Sequence, residues 1–596
     1  MLESNLSPLF DGFDPVSAEA WRAQIEKDLK GKPYDKVVWR PEPGLEIHPF
    51  YTRSANETRA SLLNQQPGTG NALRGSRWNA ENPGWQSVQA ISLDDVAEAR
   101  ARLSEAFASE VSAFSFYSWS GNAEPEALLA VLEGMPLAEM AIHIDAPSRP
   151  EAWLNMIEQL DIAPEYLTGT LSFSVEKEFP SAAYLTQAME TGVKFPWFRT
   201  LGFDLRFAGE AGLPHSTQLM LALSALADAI AGLEAWSPRQ VLEKAAVRFA
   251  VGPSFFMETG RLRAWRLLFA QFEHAYGLDE GAYPPFVIAE SARWNQSQYD
   301  RHTNLLRLTT EGLSAVAGGC QALVLHGFDA VLHPENEQSA RFSRNIQHLL
   351  RHESYLDAVT DAAGGAYYVE EITEQLAELG WRAFQEMEKS GGFSQSMASG
   401  SLRKILDAAV ASRAGQFALR KKVQVGVNQY PNTLETLPDQ PGQGPFDAYR
   451  SALAYEALRR QADQFGRHTG KRLQAYLFAF GDVAMRGARM LFARDLLGAG
   501  GFQVTETSTP NDPAITLTEI GQLQPEVVVL CSSDPEYLES GAAFAREVRA
   551  VRPGVLVLLA GRPEGWSEAD VQQIYAGMDA PAFLSGLLSR LIPLTV

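Results

Sequence analysis

Few side chains in this sequence have the type and spacing to carry out bond chemistry. Asp145 and Glu290 each close a short β-rich run, where a βα barrel places its catalytic groups. A carboxylate pair of that kind could serve a glycosidase. Strand-end acids more often cap the next helix or pair with an arginine, and that is the expectation here. His348 and His352 stand one helical turn apart in Gln-His-Leu-Leu-Arg-His-Glu. A zincin helix needs Glu directly after the first His, whereas position 349 is Leu, so the pair reads as a solvated helix face. Gly68-Thr-Gly70-Asn-Ala-Leu lacks the third glycine of a dinucleotide loop, and no Gly-Lys-Ser/Thr follows a strand. Gly498 to Gly501 reads as a helix end leading into the next strand. The aromatic run 114–119 alternates like a barrel strand before it suggests a ligand wall. Cys320 and Cys531 are the only cysteines, too few for a disulfide scaffold or a thiolate zinc cage; they point to a reducing setting.

The elements that would position these groups follow a regular rhythm. Apolar runs at 113–118, 140–145, 170–175, 201–208, 247–251, 286–289 and 322–325, with room for another near 87–91, alternate with helical stretches. That pattern predicts a closed (β/α)8 barrel of the TIM type. The stretch 216–234 reads as a helix with Ser216 as N-cap and Leu219, Met220, Leu223, Leu226, Ala227 and Ile230 on one face. Residues 344–415 look almost entirely helical, broken at Gly364-Gly365 and Gly391-Gly392. Residues 428–445 hold four prolines and two glycines and read as a linker. Beyond Lys471, strands at 473–480, 502–506, 527–531 and 555–559 predict a flavodoxin-like doubly wound domain. The expected division is an arm at 1–50, a barrel at 51–415, a linker at 416–470 and the small domain at 471–596. The arm carries a helix at 18–29 and then Gly31, Pro33, Pro41, Pro43, Gly44 and Pro49. Such a segment packs on another body, its own domain or a partner.

Composition narrows the function classes. A length of 596 residues suits two to four domains. A net charge of −21, from 51 basic and 72 acidic residues, does not suit nucleic-acid binding. No run approaches the roughly 18 apolar residues of a membrane helix, and Met-Leu-Glu-Ser-Asn-Leu-Ser-Pro has no signal or transit character. The expectation is a cytoplasmic chain with neither nucleic acid nor membrane among its partners.

Several stretches, in order along the chain, resemble the methylmalonyl-CoA mutase family. They are Phe255-Phe-Met-Glu258 with Arg261-Leu-Arg-Ala-Trp-Arg-Leu-Leu-Phe-Ala270, the run 308–321 with Asp329, Phe342-Ser-Arg-Asn-Ile-Gln347, His352-Glu-Ser354, Gly364-Gly-Ala-Tyr-Tyr-Val-Glu370, Glu386-Met-Glu-Lys-Ser-Gly-Gly392 and Val425-Gly-Val-Asn-Gln-Tyr430. The likeness runs from about Trp21 to the C-terminus. It implies an acyl-CoA-binding barrel followed by an adenosylcobalamin-binding domain, and radical isomerisation of (R)-methylmalonyl-CoA to succinyl-CoA.

The departures from the family pattern carry the functional expectation. Catalytic chains hold an Asp-x-His-x-x-Gly motif whose His ligates cobalt. Here Gly481-Asp-Val-Ala-Met-Arg-Gly487 aligns, keeping Asp482 and Gly487 but placing Ala484, which has no donor atom, at the ligand position. A usual lysine is Phe478, the Ser-x-Leu element is Ser532-Ser533-Asp534, and the Gly-Gly pair is Ala560-Gly561-Arg562. In the barrel, Phe207 stands where catalytic chains carry a His for the substrate carbonyl, and an aromatic hydrocarbon cannot polarise a thioester. The region that places a catalytic Tyr corresponds to 76–84 and lacks one. The resemblance therefore implies a small, non-catalytic subunit with only vestigial cofactor positions (Asp482, Gly487, Ser532, Gly561). Adenosylcobalamin and acyl-CoA would be held by a homologous large subunit in a heterodimer, which the arm would wrap. The alternative, an active cobalamin enzyme with an atypical site, needs Arg206 or His215 to replace the missing carbonyl donor.

Overall fold

Eight short apolar strands, each followed by a helical stretch, close into one parallel barrel: β1 (Gln86–Ser92), β2 (Ala113–Tyr117), β3 (Ala141–Ala146), β4 (Thr168–Ser174), β5 (Phe198–Asp204), β6 (Ala245–Val251), β7 (Phe286–Ser291) and β8 (Ala322–Val324). Strand β8 pairs back to β1, with Gln86 opposite Ala322. The computed structural model describes residues 16–592 except 54–72, 76–83, 110, 147–149, 280–285, 438–443, 445 and 511. Alternation along the strands separates two buried layers. Phe114, Phe116, Ile142 and Ile144 pack outward beneath the helices, while Ala113, Tyr117, Ala141, Ala246, Ile288 and Val324 fill the barrel interior.

Helix α1 (Ala18–Asp28) buries none of its residues, although Trp21 stacks on Phe50 at 4.4 Å. The arm beyond it packs on the chain's own barrel: Trp39 and Ile47 pair as an antiparallel bridge, and Leu45 and Ile47 are buried in the main core. Strand β5 spans residues 198–204 rather than the expected 201–208. Asp204 accepts the backbone N–H of Arg206 at 3.0 Å and turns the chain into α2 (Arg206–Ala211), so Phe207 lies on a helix. Helix α3 (His215–Ala231) also corrects an expectation, because Ser216 lies inside it and Pro214 occupies the N-cap without a side-chain cap. The cap comes from the arm. Glu42 accepts the N–H groups of His215 at 2.7 Å and Ser216 at 3.2 Å, satisfying orphan donors of the first turn.

Helix α4 (Phe255–Ala275) and helix α5 (Tyr367–Lys389) pack against each other outside the barrel. Buried Arg263 on α4 donates to Asp361 at 3.0 and 3.1 Å and to Glu370 at 2.9 Å. Residues 354–366, expected to be helical up to the break at Gly364-Gly365, run irregularly between a π turn at Leu349–Glu353 and α5.

After helix Leu453–Thr469 a second parallel sheet forms from β9 (Gln474–Ala479), β10 (Gln503–Glu506), β11 (Val527–Cys531), β12 (Leu556–Ala560) and β13 (Gln572–Ile574). Its order, β10-β9-β11-β12-β13, is that of a doubly wound sheet whose switch point lies between β9 and β11. Helix α6 (Val483–Ala499) follows β9. Among the described residues, no helix is long and apolar enough to cross a membrane.

Candidate functional site

The fold offers two places for chemistry, the C-terminal mouth of the barrel and the switch point of the small domain. At the barrel mouth, strand ends and adjoining loops bring four acids and four cations together. Arg206 donates to Asp145, to Asp204 at 2.8 and 2.9 Å and to Glu290 at 2.5 Å. Arg248 donates to Glu290 at 2.8 Å and to Ser115 at 2.5 Å. His326 bridges Glu290 at 2.7 Å and Glu335 at 2.6 Å, and the Tyr117 hydroxyl donates to Glu335. Arg293 lies beside His326 and over the Tyr117 ring, 5.7 Å from its centroid.

Burial alone would raise the Glu290 carboxyl, but Arg206, Arg248 and His326 together hold it well below the usual range. Burial and Arg293 depress His326, yet Glu290 and Glu335 outweigh them and raise it. Asp145 and Glu290 are thus both committed to arginine, as expected for the commoner use of strand-end acids. Neither is a free acid or base. Gly444 and Phe446 lie against this lattice. Phe446 places its ring 5.2 Å from the Arg206 guanidinium, and a Cβ on Gly444 would stand 2.8 Å from Trp119 Nε1.

Neither proposed replacement for the missing carbonyl donor is available. Arg206 is saturated by three carboxylates, and His215 lies between Glu42 and Glu258, 3.4 Å from each. Burial would lower His215, but Glu258 and Glu42 raise it to about 9. Phe207 is 1 % exposed and belongs to the apolar layer under the helices.

At the switch point, Asp482 caps α6 by accepting the N–H of Met485 at 2.8 Å, while Ala484 and Gly487 are exposed on that helix. Ser532 is fully buried, its hydroxyl 2.8 Å from the carbonyl of Phe480 and also against the Glu536 carboxylate, so that its single proton is shared between the two acceptors. The Glu536 carboxylate lies over Gly481, where a Cβ would stand 2.1 Å away. It accepts the N–H of Asp482 at 2.8 Å and of Ser533 at 3.1 Å, and the hydroxyls of Ser532 and Ser533. The hydroxyls of Ser532 and then Ser533 push its carboxyl down to about 2. Arg489 covers Gly561, whose φ is +142° and whose Cβ would stand 2.4 Å from Nη1; it also pairs with Asp534 at 2.6 Å.

Tested against a corrinoid, which the resemblance implies, these residues do not fit. Position 484 offers no donor, Asp482 is spent on the helix cap, and side chains lie over Gly481 and Gly561, while Gly487 stays open. Two of the residues that depart from the family pattern do not close the crevice. Phe478 is buried beneath the sheet against Phe544 at 5.0 Å, and Arg562 stacks on Tyr575 at 5.1 Å. The obstructing side chains are Glu536 and Arg489.

His348 and His352 stack at 5.8 Å, and no acid or thiol joins them as a metal cluster among the described residues. Cys320 and Cys531 are both buried, and burial pushes the Cys320 thiol up to about 12. The stretch 76–83, corresponding to the family's Tyr region, lies outside the described residues, as do 1–15 of the arm. Sequence reasoning missed Glu536, Arg489, Glu42 and Phe446. Only the Ser533-x-x-Glu536 capping spacing marked any of them.

A family profile described as Methylmalonyl-CoA mutase matches residues 135–464. The methylmalonyl-CoA mutase small subunit of Porphyromonas gingivalis is 30 % identical over 573 residues, covering 90 % of this chain and 91 % of that one. The corresponding small subunit of Streptomyces virginiae is 28 % identical over 616 residues, 97 % of each chain. A methylmalonyl-CoA mutase of Rhizobium meliloti is 25 % identical over 520 residues, 79 % of this chain and 71 % of that one.

Proposed function

This chain belongs to the methylmalonyl-CoA mutase family, and from that premise we propose that it is the small, non-catalytic subunit of a heterodimeric mutase. A homologous large subunit binds adenosylcobalamin and acyl-CoA and isomerises (R)-methylmalonyl-CoA to succinyl-CoA. The observation that carries this reading is Ala484, exposed at the start of α6 where the family's motif calls for the cobalt-ligating His. The ion pairs at the barrel mouth support it, since Asp145, Glu290 and Arg206 are committed to one another there, which leaves none of the three to polarise a thioester.

The chain then contributes shape. Its doubly wound domain is a degenerate cobalamin-binding-like domain, and its barrel is a packed scaffold for the partner. Helix α1 has no fully buried residue and touches its own chain mainly through Trp21 on Phe50, while Glu42, Leu45 and Ile47 fix the following segment to the barrel. That arrangement suits an arm anchored at its C-terminal end and laid across a second subunit. The net charge of −21 would favour a partner with a complementary basic face. Localisation is cytoplasmic in this reading.

The test is complementation. The purified chain alone should not isomerise (R)-methylmalonyl-CoA with added adenosylcobalamin, and mixing it with the large subunit should give a stable one-to-one complex that does. Turnover by this chain alone would overturn the reading.

A further inference from the structure

A doubly wound sheet takes its ligand in the crevice outside the carboxyl ends of the strands at the switch point. In this domain that crevice is closed by two of the chain's own side chains. Ser533 and Glu536 form a local capping box, but Glu536 reaches further. Its carboxylate also accepts the N–H of Asp482, 54 residues away, and so joins the loop after β9 to the loop after β11. Gly481, with φ +73°, makes this approach possible, because any side chain there would collide with the carboxylate. On the other side, Arg489 lies against Gly561, pairs with Asp534 and sits 5.0 Å over the Tyr537 ring. Tyr537 in turn donates to the carbonyl of Ala560 at 2.7 Å, tying the end of β12 into the same closure.

We propose that Glu536 is an internal ligand of the switch point: an anionic group, supplied by the chain, that occupies the crevice with Arg489 as its second cover. It satisfies donors that an empty crevice would leave to water, and it makes the domain's closed form independent of any external group. The hydroxyls of Ser532 and Ser533 keep the carboxyl ionised throughout the physiological range. The inference deepens the non-catalytic reading, yet its test measures loop opening rather than catalysis. Its failure would leave the partner assignment standing.

The experiment is hydrogen exchange on the full chain, comparing wild type with Glu536→Ala and titrating formate as an external carboxylate. Loss of charged hydrogen bonds should speed exchange at the Asp482 and Ser533 amides by roughly tenfold or more. Formate should reverse this saturably in the variant and leave wild type unchanged. Unchanged exchange in the variant would overturn the proposal. So would faster exchange that formate does not reverse, or a wild-type response equal to the variant's. Should Glu536→Ala not fold, Glu536→Ser carries the same titration with the same outcomes.

Discussion

Replacing Glu290 by glutamine keeps the shape of the barrel mouth and removes one charge from its centre. Glu290 is 2 % exposed and receives Arg206 at 2.5 Å, Arg248 at 2.8 Å and His326 at 2.7 Å. The three donors are not equally dependent on it. Arg206 keeps Asp145 and Asp204, and His326 keeps Glu335 and can shed its proton. Arg248, 1 % exposed, keeps only the Ser115 hydroxyl and Asp145 at 3.8 Å. The uncompensated charge therefore falls on Arg248. Removing one partner of a buried ion pair costs about 3–5 kcal/mol, and Glu290→Gln should lose that much from the barrel's urea-unfolding transition, read by tryptophan fluorescence. Adding Arg248→Met to the variant should recover at least half of the loss. The pH dependence follows from the sign of the shift. The folded carboxyl is held below its ordinary value, so its contribution is present above the unfolded pKa of about 4.3 and is lost as pH falls through the folded value. The gap between wild type and variant should be full at pH 7 and shrink in acid. A loss below about 1 kcal/mol at pH 7, the size of an exposed pair, would refute the reasoning, as would failure of Arg248→Met to rescue.

Other perturbations test separate parts of the structure. Glu42→Ala removes the remote cap of α3 and should cost about 1 kcal/mol, measured by thermal unfolding with the arm present. His215, raised to about 9 between Glu258 and Glu42, lends stability fully below its unfolded pKa of about 6.5, lost as pH rises through about 9. The Glu42→Ala deficit should accordingly fade in alkali. Burial raises Glu311 to about 8, outweighing Asn295 and Arg307, so it favours folding below its unfolded pKa and loses that contribution as pH rises through about 8. Glu311→Gln should therefore gain stability at pH 8.5 and much less at pH 5; an equal change at both would contradict burial as the cause. Ala484→His should not by itself confer cobalamin retention after desalting, because Glu536 and Arg489 still close the crevice. Tight retention by the single variant would show the crevice open.

What was legible in the sequence was what is periodic. Alternating apolar runs located the barrel strands and most of the second sheet because in-out alternation is written in adjacent residues. Boundaries were lost where tertiary contacts decide them. The run 201–208 sets Asp204 and Arg206 among apolar residues in a strand-like alternation, so nothing local announced that the Asp204 carboxylate would cap Arg206 and start a helix. Strand β13 is three residues, two of them glutamine, with no apolar signal. Ser216 looked like a cap because it is a serine before an apolar face, yet the actual cap, Glu42, lies more than 170 residues earlier. The candidate sites divide in the same way. Ala484 could be seen as a missing donor from its position in a motif, whereas the Glu536–Asp482 link and the Arg489 cover join residues that only the sheet topology brings together.

The central claim is that this chain does not itself hold the corrinoid of the mutase. The direct measurement is to saturate this chain and the large subunit separately with adenosylcobalamin, desalt each, and record the corrinoid absorbance per chain. The account predicts stoichiometric retention on the large subunit and none on this chain. Saturable one-to-one retention by this chain alone would contradict it.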